Sequence, residues 1–250
     1  MKNENEPVKP KKRKKIFKYL LVGLGTLVGI LIVYNWYWKN SGSSEWELEL
    51  DQDGVKVYSL KAPGDDVVKY KSIIRGKYTL SQLAAPHLLD HNLQTCKEWF
   101  ENCVGCKIIE PFDSIRQYDI SLWTLEFPTP FAPRELLINT SVTQDENKVV
   151  TIDVVAVPNA TERTEGTVRV ERMHNVWKFT PLENGMAECE LTQDISLGGF
   201  FPKFLMNMAG TDANFTFMRD ELPKFLEKEK YKNATFPFIE EVNGSQLSAR

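Results

Sequence analysis

Two histidines and three cysteines lie close together in the sequence and carry its most reactive side chains: His87, His91, Cys96, Cys103 and Cys106. Histidines four residues apart share one face of a helix, and Cys103 and Cys106 have a spacing that zinc sites use. A four-ligand site would require the histidines and cysteines to converge, and an oxidising compartment would convert the thiols to a disulfide. A zinc site, a disulfide among the three cysteines and free structural cysteines remain the alternatives, and we predict no bound metal.

Arg169 is the cation best suited to bind the head group of a ligand. Alternation along a predicted strand places Arg169 on the same face as Met173 and Trp177. A guanidinium group can hold a phosphate or carboxylate through two parallel hydrogen bonds. The alternative is an internal ion pair of Arg169 with Glu171 or Asp153, because buried charges are usually paired whether or not a ligand is present.

Large apolar side chains are the other candidates for contact with a hydrophobic ligand. The sequence does not distinguish whether the tryptophans form core or the wall of a cavity. Methionine adapts its shape to irregular partners, although at helical spacing it is more often plain core. The candidate ligand-binding set is Arg169, Trp123, Met173, Trp177, Phe201, Leu205 and Met208.

Catalytic and nucleic-acid functions find no support in the sequence. It contains no phosphate-binding glycine loop, nucleophile elbow or metalloprotease motif, so we predict neither an enzyme nor a cofactor. Residues 1–44 hold nine lysines and arginines against two glutamates, a net charge of +7, and since the whole chain carries −3 the remainder carries −10. So acidic a domain argues against a nucleic-acid partner, because phosphate binding requires a cationic face.

Residues 19–38 form an uncharged and mostly apolar run that predicts one membrane-spanning helix. At this length a helix reaches about 30 Å, which matches the hydrocarbon core of a bilayer. A cleaved signal would have a shorter apolar region and a small-residue cleavage site. Here the run ends in Tyr34, Trp36, Tyr37 and Trp38, which is typical of an aromatic belt at the membrane interface.

The flanks of this run predict its orientation. Lysines and arginines crowd the preceding residues 9–18, whereas Lys39 stands almost alone after the run. By the positive-inside rule, residues 1–18 lie in the cytoplasm and the domain lies outside it, in a periplasm or lumen. Gly25 and Gly29 have the spacing of a helix-dimer face and are compatible with a homodimer. The short polar linker, residues 39–45, keeps the domain close to its membrane.

The period of the apolar residues changes along the domain. Strand patterns start after the Asp53-Gly54 turn and continue over residues 67–78. Short helices follow, and a helical pattern covers residues 200–227 after Gly198-Gly199. Between the helical regions lie six further predicted strands, over residues 107–112, 116–127, 134–143, 148–157, 167–180 and 186–197.

This order predicts an α+β helix-grip fold, in which a curved antiparallel sheet wraps a long C-terminal helix. The predicted sheet has too much apolar area for one of its faces to be left exposed to solvent. We expect the long helix to pack on that face. A helix laid across a curved sheet leaves a gap, and such gaps accept small hydrophobic ligands.

Several motifs resemble the START domain, the lipid-binding domain related to the steroidogenic acute regulatory protein. No single motif is decisive, but their order and spacing are specific. The matching segments are Asp53-Gly-Val-Lys-Val-Tyr58, Cys96-Lys-Glu-Trp99, Pro133-Arg-Glu-Leu136, Val168-Arg169, Trp177 with Pro181, Gln193-Asp194-Ile-Ser-Leu-Gly-Gly199, Pro202 and Asn207. Glu135 replaces the aspartate of the usual Arg-Asp pair, and the following strand lacks the arginine expected in the sterol-binding branch.

The resemblance implies a START-like domain over residues 46–230, followed by a tail over residues 231–250. It also implies an internal tunnel that holds one lipid or sterol, with binding or transfer rather than catalysis. The missing arginine argues against a sterol. The first hypothesis is therefore a membrane-tethered lipid-binding module. The alternatives are a cyclase- or hydratase-like enzyme and a protein-interaction domain with a vestigial tunnel.

Overall fold

A computed structural model describes residues 11–89, 91–199, 201 and 203–242, with only the backbone given for residues 11–16, Leu31 and Leu205. Within these residues, ten strands form one sheet in the order β1-β2-β3-β10-β9-β7-β6-β5-β4, with β8 beside β6. All pairings are antiparallel except that of β8 with β6. The strands are β1 (Glu47–Gln52), β2 (Val55–Leu60), β3 (Lys69–Gly76), β4 (Cys103–Asp113), β5 (Tyr118–Leu125), β6 (Arg134–Gln144), β7 (Val150–Ala156), β8 (Val168–Arg169), β9 (Arg172–Pro181) and β10 (Ala187–Ser196).

Alternation of side chains gives the sheet one face toward the core. In β5 every second residue is buried, from Asp119 to Leu125. The same period in β9 directs Met173, Trp177 and Phe179 inward. Because successive side chains of a strand point to opposite faces, this pattern fixes which face is covered.

Helices cover the concave face of the sheet. Thr79 caps α2 by accepting a hydrogen bond from Gln82 N, and Asn92 caps α3 by accepting from Gln94 N and Thr95 N. The helices are α1 (Lys11–Asn40), α2 (Leu80–Leu88), α3 (Leu93–Trp99), α4 (Lys203–Thr216), a π-helical turn (Phe217–Glu221), α5 (Leu222–Leu226) and α6 (Glu229–Lys232). We call residues 203–226 the C-terminal helical segment.

This segment lies close against the sheet because Gly210 faces Tyr70. A Cβ atom on Gly210 would fall 2.2 Å from the Tyr70 ring, so α4 could not approach as closely with any other residue. Tyr70 Oη also donates to Asn207 O at 2.7 Å. Further along, Pro223 has no N–H to donate into the preceding turn, and the segment widens there into its π-helical turn.

The end of α1 is fixed to the domain. Gly64 N donates to Lys39 O at 2.7 Å, and Lys61 Nζ donates to the carbonyl oxygens of Lys39 and Ser41. The Lys61 ammonium also lies 4.6 Å from the centre of the Trp38 ring. Within α1, residues 17–40 form a helix long and apolar enough to cross a membrane by length and composition, with no burial inside the protein.

The structure confirms the predicted fold class and changes three details of the elements. The strand β1 precedes the Asp53-Gly54 turn, where no strand was predicted. The strand predicted over residues 167–180 is broken between Arg169 and Arg172. Part of the predicted tail, residues 231–242, packs on the core, since Tyr231 and Ile239 are buried and the Glu241 carboxylate accepts from the backbone of α2, while the rest of the predicted tail lies outside the described residues.

Candidate ligand-binding cavity

A cavity of about 150 Å³ lies between the concave face of the sheet, α2, α3 and the π-helical turn. Most of its wall is apolar or aromatic, and its few polar side chains come from β6, β9, β10 and the region around α2. The lining residues are Pro86, His87, His91, Trp99, Phe100, Trp123, Leu136, Ile138, Thr140, Val154, Met173, Asn175, Trp177, Leu191, Gln193 and Phe217. A space of this composition suits a hydrophobic ligand.

One side of the cavity is a cluster of rings around His87. The centre of its imidazole lies 5.1 Å from that of Trp99 and 4.6 Å from that of Trp177. Phe217, from the π-helical turn, stacks on Trp99 at 6.0 Å and closes this side. Burial, and secondarily the nearby His91, lowers the pKa of His87 to about 3, so this imidazole is neutral at physiological pH.

His91 lies opposite the buried carboxylate of Asp119. His91 Nδ1 is 3.2 Å from Asp119 Oδ2, an ion-pair contact rather than an aligned hydrogen bond, and His91 Nε2 lies 2.8 Å from His87 O. A carbonyl oxygen can only accept, so Nε2 carries a proton. Both nitrogens therefore face acceptors of the protein itself.

Arg169 lies on the opposite side of the sheet from the cavity. In β6, Leu136 lines the cavity, so the adjacent Glu135 faces the other way, and β8 places Arg169 beside Glu135. Arg169 Nε and Nη2 donate to Glu135 Oε2 at 3.1 and 2.9 Å, and both side chains are almost fully buried. The remaining guanidinium donors reach the carbonyl oxygens of Pro158, Thr161 and Glu162.

The internal ion pair therefore has Glu135 as its partner rather than Glu171 or Asp153. Glu171 pairs with Arg163 at the surface, and Asp153 contacts His174. Burial acts to raise the pKa of the Glu135 carboxyl, but hydrogen bonds from Thr164 and Arg169 outweigh it and leave the pKa below its ordinary value.

A disulfide joins Cys96 of α3 to Cys103 at the start of β4. The loop that it closes carries Trp99 and Phe100, which both line the cavity. Cys106 is a free thiol whose pKa rises to about 11, chiefly by burial, and Cys189 is free and buried in the core. Among the residues that the structure describes, no three histidine, cysteine, aspartate or glutamate side chains are grouped to hold a metal ion.

A family model described as the START domain matches residues 42–230. The chain belongs to the START domain family. An uncharacterized protein of Pseudomonas aeruginosa is 24% identical over 177 residues, which cover 70% of this chain and 83% of that protein.

Solved structures of START-related proteins share the fold. A STAR-related lipid transfer protein fragment from Xanthomonas axonopodis has a TM-score of 0.63 at 21% identity, covering 73% of this chain and 99% of that one. Human STARD10 has a TM-score of 0.60 at 16% identity, covering 80% of this chain and 82% of its own. At these identities the likeness concerns the fold.

In this START domain, three of the seven candidate ligand-binding residues line the cavity: Trp123, Met173 and Trp177. Phe201 instead packs on Phe127 and Phe131, with ring centres 5.3 and 5.1 Å away. Met208 points to solvent from α4 with 72% of its surface exposed. The side chain of Leu205 lies outside the described residues.

The sequence did not identify His91, Thr140 or Gln193 as cavity residues, or Asp119 behind them. Each has polar neighbours in the sequence, such as Asn139 and Ser141 beside Thr140, so no local pattern distinguishes it. Their grouping depends on the register between strands, which alternation within one strand does not reveal. Asn175 lies midway between Met173 and Trp177 in β9, so the period of two puts it on their face, and it also lines the cavity.

Proposed function

We propose that this START protein is a membrane-tethered lipid-binding module that holds one hydrophobic ligand in the cavity. The observation that carries the proposal is an apolar, aromatic cavity between the sheet, α2, α3 and Phe217 of the C-terminal helical segment, in a chain of the START family. One of the solved structures that share the fold is named as a STAR-related lipid transfer protein. Binding, with transfer to or from the adjacent bilayer, follows from these features.

The volume of the cavity implies that the domain opens to receive a lipid. About 150 Å³ is below the 300–1,000 Å³ of typical ligand pockets. A ligand with a long acyl chain must therefore displace part of the wall. Phe217 belongs to the C-terminal helical segment and contacts Trp99 and Trp177, so movement of this segment would enlarge the cavity directly.

The start of the C-terminal helical segment has the features of a hinge. Gly198 and Gly199 both have positive φ, at 65° and 55°, a conformation that favours glycine. The Arg134 guanidinium donates to Leu197 O and Gly198 O, and it lies 5.1 Å from the centre of the Phe201 ring. We propose that this cluster is the pivot about which the segment turns.

The same segment is placed to meet the membrane. The groove beside it is formed by Tyr34 and Trp38 of α1 together with Phe204 and Met208 of α4. Phe204 and Met208 are 66% and 72% exposed. Asp66 pairs with Lys39 and with Lys203, which ties the end of α1 to the start of α4. If α1 spans the membrane, these exposed apolar side chains face the interface that its aromatic residues occupy.

The proposed location of the domain is outside the cytoplasm. The basic residues before α1 favour a cytoplasmic N-terminus, and a disulfide between Cys96 and Cys103 agrees with an oxidising compartment. External protease applied to spheroplasts should digest the domain and leave the basic N-terminus intact. Protection of the domain would place it in the cytoplasm instead.

The alternative is an enzyme of the cyclase or hydratase type, and the feature that would favour it is the buried His91–Asp119 pair. Catalysis would require a ring nitrogen directed at the substrate. The two nitrogens of His91 face Asp119 and His87 O, and His87 is neutral between two tryptophans. We therefore propose binding rather than catalysis.

A cross-link that holds the C-terminal helical segment to the sheet tests this mechanism. Ser72 Oγ donates to Asn214 Oδ1 at 2.9 Å, so a Ser72→Cys/Asn214→Cys pair can join β3 to α4. In the full-length protein, the oxidised pair should slow exchange of a fluorescent lipid between vesicles at least tenfold. Ser72→Cys alone, treated with the same oxidant, is the control. An unchanged rate in the cross-linked protein would mean that lipid enters elsewhere.

A further inference from the structure

A row of polar side chains crosses the concave face of the sheet at one level. The strand pairings place Asp119 opposite Thr140 and Asn175 opposite Gln193, with Val154 between the two pairs. On the far side, Tyr70 of β3 stands opposite Gln193. The row therefore reads Asp119, Thr140, Val154, Asn175, Gln193 and Tyr70 across six neighbouring strands.

The row two residues further along the strands is almost entirely apolar. It runs through Val142, Ile152, Trp177 and Leu191 before it reaches Ser72. The row on the other side of the polar row, two residues away in the opposite direction, contributes Ile138 and Met173 to the cavity wall. The polar side chains that the sheet contributes to the cavity wall, Thr140, Asn175 and Gln193, therefore all lie at one level. Such an arrangement can fix the position of the polar part of a ligand.

Among the described residues, two side chains of this row, Asp119 and Asn175, have buried acceptors without a hydrogen-bond partner, and Asp119 faces His91. Asn175 Oδ1 is buried and makes no hydrogen bond with any residue that the structure describes. A buried acceptor without a donor is costly, and native proteins rarely leave one unless water or a ligand completes it. Asn175 lines the cavity, so the missing donor would come from the cavity.

The electrostatics of the cavity disfavour an anionic head group. None of the described lining residues is lysine, arginine, aspartate or glutamate. His91 lines the cavity, but its Nδ1 lies 3.2 Å from Oδ2 of the Asp119 carboxylate, so any positive charge on this imidazole is already paired. A phosphate or carboxylate placed here would lack a positive partner, and burying an unpaired charge is strongly unfavourable.

The position of Gln193 indicates where the polar end of a ligand would lie relative to the C-terminal helical segment. Besides lining the cavity, it lines the groove under the C-terminal helical segment with Asn214 and Phe217. The polar row therefore ends at the seam where this segment meets the sheet. A ligand held by the row would have its polar group near the seam and its hydrocarbon part against the aromatic wall.

We propose that the polar row, through Asn175 and Gln193, selects an uncharged lipid that carries a hydrogen-bond donor, a hydroxyl or an amide N–H. This proposal rests on the proposed lipid-binding function and specifies the class of ligand. The donor binds Asn175 Oδ1, and the side-chain amide of Gln193 provides a second hydrogen-bonding group. Because the described lining residues include no lysine or arginine, anionic lipids are disfavoured.

A competition among three lipids of one chain length tests the selection. The full-length protein in nanodiscs is exposed to equal mole fractions of tetradecan-1-ol, its methyl ether and tetradecanoate, and the bound species are read by native mass spectrometry. The wild type should hold the alcohol about three- to tenfold more often than the ether, the ratio expected for one net hydrogen bond. Tetradecanoate should be bound least at a pH where it is ionised.

Variants of the row make the result specific to these residues. Asn175→Leu removes the acceptor while keeping a similar size, and the ratio of alcohol to ether should fall to about one. Gln193→Leu provides an independent variant, and Thr192→Val, the neighbouring position on the same strand, should leave the ratio unchanged. Since the readout is a ratio within one sample, partial loss of stability does not alter it.

The outcomes separate this proposal from the function on which it rests. If the wild type binds the lipids without preferring the alcohol, or prefers tetradecanoate, the selection is refuted and lipid binding stands. If Asn175→Leu keeps the wild-type ratio, Asn175 is not the acceptor and the proposed row is refuted. If the wild type retains none of the three lipids, the proposed function itself fails.

Discussion

The buried pair of Arg169 and Glu135 provides the sharpest test of how this domain is held together. Replacing Arg169 with methionine leaves the Glu135 carboxylate buried without its cation, and it also removes donors from the carbonyl oxygens of Pro158 and Glu162. Removing one partner of a buried ion pair costs about 3–5 kcal/mol. For a domain of this size, such a loss lowers Tm by about 6–20 °C.

Thermal unfolding of the full-length protein in detergent, followed by circular dichroism, measures this change. Arg163→Met is the matched control, because its ion pair with Glu171 is exposed and should contribute less than about 1 kcal/mol. In a double-mutant cycle, Arg169→Met and Glu135→Leu should be coupled by about 2 kcal/mol or more. The ratio of neutral to anionic lipid bound should not change in Arg169→Met.

Two results would contradict the reasoning on Arg169. A loss below about 1 kcal/mol would mean that water or another cation replaces the guanidinium beside Glu135. A selective loss of anionic lipid, with little change in stability, would show that Arg169 binds a head group after all. The pH dependence gives a further check: the stabilisation from Glu135 is present above its ordinary pKa and is lost as pH falls through the lower pKa of the folded state.

Three further predictions concern the cavity, its disulfide and the membrane face. The pKa of His87 falls to about 3 in the folded protein, so the unfolded chain binds more protons between about pH 6.5 and 3. The free energy of unfolding, measured by denaturant titration, should therefore fall by about 2 kcal/mol from pH 6.5 to 5. His87→Phe should abolish this slope. Replacing Cys96 and Cys103 with serine should lower the free energy of unfolding by about 2–3 kcal/mol, the contribution expected of a disulfide that closes a short loop. Reductant should have no further effect on the Tm of this variant. Equal stability of the serine variant and the oxidised wild type would contradict the prediction. Phe204→Ser/Met208→Ser should slow lipid exchange between vesicles without lowering Tm, because both side chains are exposed, whereas an unchanged rate would mean that this face does not contact the bilayer.

The fold could be predicted because each local pattern agrees with the final structure. Alternation over β5 and β10 and the helical period after Gly199 all point to a sheet covered by a long helix. The same alternation placed Met173 and Trp177 on one face of their strand, and both line the cavity. Within a continuous strand, the period of two is sufficient to assign a face.

Alternation fails where a strand is interrupted. Arg169 and Met173 would share a face if β8 and β9 were one strand, but the chain leaves the sheet between them and β8 pairs with β6 in parallel. Arg169 therefore lies opposite the face that alternation assigns to it. The contact of His91 with Asp119 and the alignment of Asn175 with Gln193 depend on long-range register, which no local pattern encodes.

The central claim, that the cavity holds one lipid, is tested most directly by native mass spectrometry of the full-length protein released from its own membranes. The mass of the protein should be increased by that of one bound lipid, and the lipid should be lost when Val154→Trp fills the cavity of an otherwise folded protein. A wild-type mass equal to that of the bare chain, with no lipid recovered after incubation with membrane extract, would contradict it.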